Sequence, residues 1–263
     1  MLQRSSHAIM IVDFRGWKRV QYEDFALIYD MLMSDIDYEG WSSHIHGRIK
    51  SNNSEAEKIL EMACGTGSIS VNMAQLGYNV TAFDLSDEML SIAYKKALDA
   101  GLKIRFLNQD MRSINVEDEF DAVICLCDSI NYITNKEDLI QIFKWVYNHL
   151  SHTGIFIFDI NSSYKLKNII GNNTFTYNEE DAAYIWENNL TDEKTVEFFI
   201  TFFIREGILY RRFEEFHTEK IYESNEIQGM LKEAGFASIE MNEAYTYYRA
   251  KDDSERISFC CKK

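Results

Sequence analysis

Lys58-Ile59-Leu60-Glu61-Met62-Ala63-Cys64-Gly65-Thr66-Gly67-Ser68 decides the fold class of this 263-residue chain. An apolar run that ends in an acid, opens into a glycine turn and enters a helix-forming segment is the pattern of a buried parallel strand feeding a crossover helix. Gly65 and Gly67 lack a Cβ, so the backbone can turn tightly and a ligand can lie against it. Ligands of open α/β sheets bind in the crevice at the carboxyl ends of the strands. Glu61 stands at that end, placed to orient the loop or to accept a hydrogen bond from a ligand ammonium.

A glycine turn alone also suits a dinucleotide, and three details argue against one. Ser70 stands where a third glycine or alanine would sit, Glu61 is a poor neighbour for a pyrophosphate, and a helical leader precedes the motif. S-adenosylmethionine (SAM) carries an ammonium, a ribose and an adenine but no phosphate, so an acid-lined crevice suits it better. The next strand ends agree. Tyr78–Phe83 reads as a strand closing on Asp84, whose carboxylate can accept both ribose hydroxyls. Ile104–Leu107 leads to Asp110, which can accept from an adenine amino group, and to Met111, which can pack on the ring. Phe120–Leu126 leads to Cys127-Asp128-Ser129-Ile130-Asn131-Tyr132, where a reactive methyl group would lie.

Glu61-Met62-Ala63-Cys64-Gly65-Thr66-Gly67, Phe83-Asp84-Leu85-Ser86-Asp87-Glu88-Met89-Leu90, Gln109-Asp110-Met111 and Phe120-Asp121-Ala122-Val123 resemble the class I SAM-dependent methyltransferases. Within them the chain looks like the bacterial small-molecule branch, similar to amino-sugar N-methyltransferases and glycine N-methyltransferase. That branch shares a leader like Tyr22-x-x-Phe25-Ala26-x-x-Tyr29-Asp30 and a β-rich insertion after the fifth strand. Ala63 departs from the first glycine of many members. The resemblance implies an α/β fold: a doubly wound, mostly parallel, seven-stranded Rossmann-like sheet in the order 3-2-1-4-5-7-6. It further implies SAM as cofactor, S-adenosyl-L-homocysteine as product, and cofactor contacts from Tyr22, Tyr29, Glu61, Ala63, Cys64, Gly65, Gly67, Asp84, Leu85, Met89, Asp110, Met111, Leu126 and Cys127. Tyr22 and Tyr29 are expected in a lid.

A formal charge of −15 and a pI near 4.8 speak against nucleic-acid and anionic-membrane partners, because phosphate neutralisation needs clustered Lys and Arg. The odd set of cysteines (64, 125, 127, 260, 261) reads as thiols of a reducing compartment. Residues 8–12 are too short an apolar run for a signal peptide, and a cytoplasmic location is expected. Proline is absent, so the Asn/Asp-Pro-Pro-Tyr/Phe motif of nucleobase and glutamine amino methylation is absent too.

Three segments are expected: a helical leader and lid over 1–50, a cofactor-binding α/β core over 51–165 and 223–263, and an antiparallel β insertion over 166–222 serving substrate, lid or oligomerisation. Aromatic and β-branched runs at 183–187, 196–204 and 209–216 predict three strands in that insertion. Such a sheet edge also suits a homodimer. Its carboxylates, Glu179, Glu180, Asp181, Glu187, Glu214 and Glu215, weakly favour a cationic or neutral acceptor.

For catalysis the candidates are Tyr132, beside the expected methyl position, and His217, a general base if its pKa stays near the ordinary value of about 6.5. Ordinary packing accounts for either residue as well. Asp128 with Asp159 and Asn161 resembles the magnesium ligands of catechol O-methyltransferases, but Ile160 separates the last two, so no metal is expected. The sequence thus points to methyl transfer from SAM to nitrogen or oxygen of a small molecule. A non-catalytic SAM- or partner-binding scaffold and a nucleic-acid enzyme are the alternatives.

Overall fold

The computed structural model describes residues 23–263. Helices α1 (Glu23–Leu32) and α2 (Tyr38–Asn52) lead into β1 (Lys58–Met62), α3 (Ser68–Gln75), β2 (Asn79–Asp84) and α4 (Asp87–Asp99). There follow β3 (Arg105–Asn108), β4 (Phe120–Cys125), a 3-10 turn (Ser129–Tyr132), α5 (Lys136–His149) and β5 (Leu150–Asn161). A π-helical turn (Lys165–Ile170) then opens β6 (Thr174–Asn178), β7 (Ala182–Asp192), β8 (Thr195–Glu206) and β9 (Leu209–Lys220). The chain closes with α6 (Ser224–Ala234), β10 (Ser238–Glu243) and β11 (Arg256–Lys262).

Local chemistry sets these boundaries. Ser86 Oγ accepts from the Met89 N–H at 3.1 Å to cap α4, whose first turn carries Asp87 and Glu88 against the positive helix end. Asn135 caps α5 by accepting from the Asp138 N–H at 3.0 Å. A reciprocal Glu223–Glu226 capping box starts α6, and Gly235, at φ +116°, ends it.

The main sheet has seven strands in the order β10-β11-β5-β4-β1-β2-β3. Strands β1 to β5 pair in parallel, and β11 runs antiparallel between β5 and β10. In chain order this is the arrangement that the resemblance implies. Because β1 lies between β2 and β4, the connections leave it in opposite directions and open a crevice at the strands' carboxyl ends. Both faces of the sheet are covered, which is why its strands read as continuous apolar runs. Phe143, Phe156, Phe158, Phe236 and Phe259 fill one side; Ile45, Ile49, Ile59 and Met73 fill the other.

The insertion is a four-stranded antiparallel sheet, β6-β7-β8-β9, not the three strands expected. β6 is the addition, a five-residue edge strand, mostly exposed, with no buried run to mark it. Its alternation, Thr174-Phe175-Thr176-Tyr177, is the signal that could have found it. One face of this sheet packs Val196 and Phe198 onto Leu166, Ile170 and Ile221, so the sheet sits beside the π-helical turn.

Candidate active site

One cavity of about 890 Å³ runs from the carboxyl ends of β1, β2 and β4 to the inner face of the insertion sheet. At its first end, Glu61 is buried and accepts a hydrogen bond from Ser70 Oγ on α3. No cation pairs with it among the described residues, and burial pushes its pKa up to about 8 despite the Ser70 hydrogen bond. Asp84 Oδ2 accepts from the Gly65 N–H at 2.8 Å, and its Oδ1 accepts from the Ser86 N–H at 2.9 Å. These bonds only partly offset the burial that raises its pKa. Asp110 is gripped by Arg112, whose Nε donates at 3.0 and 2.9 Å to the two carboxylate oxygens and lowers the Asp110 pKa.

Backbone conformation shapes this end. Gly65 has φ +54°, and a Cβ there would meet nothing within 4 Å, leaving open space over the turn. Gly67 is not in the cavity wall: a Cβ on it would lie 2.7 Å from that of Ala93, so this glycine lets α3 and α4 approach. Ala63, Cys127 and Asp128, all in the wall, hold left-handed φ of 53°, 54° and 53°. Non-glycine residues pay about 1–2 kcal/mol for that conformation, and such strain clusters at functional sites.

At the second end a buried charge network replaces the magnesium pattern considered from sequence. Arg256 Nη2 lies 2.6 Å from Asp128 Oδ1, and its Nη1 lies 3.2 Å from Asp159 Oδ2. Asp159 also accepts from the Asp128 N–H at 2.8 Å and from the Tyr245 hydroxyl. Burial raises the Asp128 pKa, but Arg256 more than offsets it and leaves the carboxyl below its ordinary range. Glu219, hydrogen-bonded to Asp128 and Asn161, is instead raised by burial and by the Asp128 charge. Asn131 is outside the cavity wall: its amide spans Asn161 and the Lys220 carbonyl, tying the 3-10 turn to β5 and β9.

His217 is 5 % exposed and its ring meets Tyr132 edge-on at 5.8 Å. Burial lowers its pKa to about 4, not the 6.5 expected from sequence, because the desolvated ring cannot afford a charge. It is neutral at pH 7.

Comparisons with known proteins identify the family. Residues 59–154 match a family model described as a methyltransferase domain. Over 244 residues the chain is 39% identical to a Bacillus subtilis (strain 168) protein provisionally named methyltransferase YqeM, spanning 92% of this chain and 97% of the relative. The chain belongs to the methyltransferase family. A solved SAM-dependent methyltransferase from Clostridium acetobutylicum ATCC 824 is 40% identical, with a TM-score of 0.86 over 92% of this chain and 98% of that one. A Saccharopolyspora spinosa dTDP-4-amino-2,3,4,6-tetradeoxy-D-glucose N,N-dimethyltransferase is 23% identical over 226 residues, 84% of this chain and 89% of its own length. This methyltransferase is therefore a SAM-dependent enzyme.

The residues present fit SAM. Glu61 is a buried acid without a countercharge, and the space above Gly65 admits a close ligand. Of the sequence candidates, Tyr29, Glu61, Ala63, Cys64, Gly65, Asp84, Leu85, Met89, Asp110, Met111, Leu126, Cys127, Tyr132 and His217 all line the one cavity. Gly67 does not, and Tyr22 lies outside the described residues. Sequence reading missed Tyr38, Trp41, Arg112, Lys165, Trp186 and Arg256, which also line it. Arg112 was within reach, two residues after Asp110. Arg256 gave no local signal, since it meets Asp128 only through the pairing of β11 with β5.

Proposed function

We propose that the methyltransferase transfers the methyl group of SAM to a nitrogen or oxygen of a small-molecule acceptor held against the insertion sheet. The continuity of the cavity carries this reading: strand-end acids and the inner sheet face share one space. When bound, SAM supplies a methyl group already activated on a sulfonium. The protein's task is then to align the acceptor and exclude water. Glu61 would take the cofactor ammonium, Gly65 and Cys64 the close backbone approach, Asp84 the ribose, and Asp110 with Met111 the adenine. Leu126, Cys127 and Tyr132 would border the transferring methyl, with Tyr29 closing the leader side.

Nitrogen is the favoured acceptor atom. A neutral amine needs no strong base, whereas a hydroxyl usually does, and His217 at about 4 is a weak base. The S. spinosa relative, by its name, also methylates an amine. The charge of −15 supports a small acceptor over a nucleic acid. Free thiols at all five cysteines support the cytoplasmic placement. No described helix is long and apolar enough to cross a membrane.

The test is calorimetric titration with SAM, followed by a methyl-donor turnover screen over amines, alcohols and acids. Saturable binding that Asp84→Ala weakens, with turnover on at least one small acceptor, is expected. Binding without turnover on any of them, or salt-sensitive retention of RNA with turnover on RNA, would overturn the reading.

A further inference from the structure

We propose that Tyr245 is a positioning residue: from outside the cavity it holds two parts of the wall, the Cys127–Asp128 turn and Trp41 of α2, in one fixed relation. The inference rests on the methyl-transfer reading of the cavity and deepens it.

Tyr245 lies just past β10 and has φ +59°. A bulky aromatic residue rarely accepts the left-handed region, and it persists there only where its surroundings over-determine it. Three contacts do so. The Ala244 N–H donates to the Arg256 carbonyl at 3.0 Å, keeping the chain paired to β11 up to the residue before the strain. The Tyr245 ring stacks on Trp41, with centroids 3.7 Å apart and planes 11° from parallel. Its hydroxyl donates to Asp159 Oδ2 on β5. Burial and the Asp159 charge push the pKa of that hydroxyl well up, so it stays protonated and keeps donating.

Neither Tyr245 nor Asp159 lines the cavity, yet their further partners Trp41, Asp128 and Arg256 all do. Asp159 is fully buried; its Oδ1 accepts from the Asp128 N–H at 2.8 Å, and its Oδ2 accepts from Tyr245 and from Arg256 Nη1 at 3.2 Å. That N–H belongs to two consecutive left-handed residues, Cys127 and Asp128. Neither is a glycine, so the conformation is held from outside, by the buried carboxylate behind it. On the other side Trp41 carries the contact onward. Tyr38 meets it edge-on at 5.7 Å and lines the cavity with Tyr29. One side chain therefore joins the leader wall to the turn after β4, although the three segments are far apart in the chain.

Substitution at this one position separates packing from positioning. Phenylalanine would fill the same space and stack on Trp41, but only the tyrosine O–H reaches Asp159. Glycine would relieve the backbone and give up both contacts.

The test titrates the full chain with S-adenosyl-L-homocysteine and follows the Asp128 amide by NMR hydrogen exchange. Tyr245→Phe should weaken product binding about fivefold, part of the worth of one hydrogen bond to a charged acceptor. It should also speed exchange at the Asp128 amide about tenfold through local opening. Tyr245→Gly should bind more weakly still, despite the relaxed backbone. In an Asp159→Asn background, Tyr245→Phe should cost less than about twofold, because the hydroxyl acts through that carboxylate. Unchanged product affinity in Tyr245→Phe overturns the proposal whatever the melting temperature does, since a packing residue would move only the latter. An Asp128 amide that exchanges no faster, full additivity with Asp159→Asn, or full affinity in Tyr245→Gly overturns it too. An unaltered chain that does not bind S-adenosyl-L-homocysteine sinks the methyl-transfer reading; binding that Tyr245→Phe leaves intact sinks only this one. Should Tyr245→Gly or Asp159→Asn fail to fold, the phenylalanine variant still decides.

Discussion

Thr66, in the glycine turn, donates a 2.7 Å hydrogen bond to Asp30 Oδ1 on the leader helix α1. Lys96 Nζ on α4 completes the junction, 2.8 Å from Asp30 Oδ1, 3.0 Å from Thr66 Oγ1 and 2.9 Å from Ser68 Oγ. The leader is thereby fastened to the loop that lines the strand-end side of the cavity, with Tyr29 one residue from the fastening and in the cavity wall.

Replacing Asp30 with alanine should loosen that junction while sparing the fold. The Asp30 side chain is 40% exposed, so its ion pair is worth roughly 0.5–1 kcal/mol at most. SAM affinity should fall by about two- to fivefold, with thermal stability nearly unchanged. Calorimetry beside a melting curve reads both; full SAM affinity in the variant would show that the leader has no part in cofactor binding.

Glu61 predicts two opposite pH effects. Its folded pKa of about 8 lies above the ordinary 4.5, so between those values the folded state binds a proton that the unfolded state has lost. Stability from this group is therefore greatest at low pH and falls by up to about 1.4 kcal/mol per pH unit until pH 8. SAM affinity should run the other way, rising through pH 8 as the carboxylate forms to meet the ammonium. Glu61→Gln should melt higher than the unaltered chain at pH 8.5 and bind SAM more weakly, with a flatter pH profile. Identical pH profiles for the two proteins would refute the assignment.

Arg256 is the countercharge of two buried acids. Removing one partner of such a network leaves uncompensated charge and costs about 3–5 kcal/mol. Arg256→Met should lower the denaturant midpoint accordingly, and Asp128→Asn in that background should recover part of the loss. A loss below about 1 kcal/mol would mean that the network is solvent-screened.

His217 should titrate near pH 4 in a histidine NMR titration of the intact protein, staying neutral through pH 6. With a turnover assay in hand, His217→Asn should cost less than about tenfold in kcat/KM, against the 10²–10⁴-fold loss expected of a general base. A protonation midpoint above 6, or a loss beyond a hundredfold, would restore the histidine as base.

Most of the cavity's strand-end wall was legible because each contributor lies at or just after the end of its own strand. Glu61 is the penultimate residue of β1, Asp84 closes β2, and Asp110 follows β3. Ala63 could be located but not its strain, since only the three-dimensional turn reveals a φ of +53°. Gly67 shows the converse: the motif placed it at the ligand, whereas its missing Cβ serves Ala93.

By itself, then, the sequence determined the parallel sheet, its switch-point crevice and the acids along it, because hydrophobic period, glycine turns and strand-end residues are local properties. Only the tertiary structure decided what lines the far end of the cavity. Arg256 reaches Asp128 across strand pairing, Lys165 reaches the cavity through a π-helical turn, and Trp186 reaches it from a separate sheet. Those juxtapositions join residues far apart in the chain, and the physical cause is long-range packing and desolvation, which no short window of residues encodes.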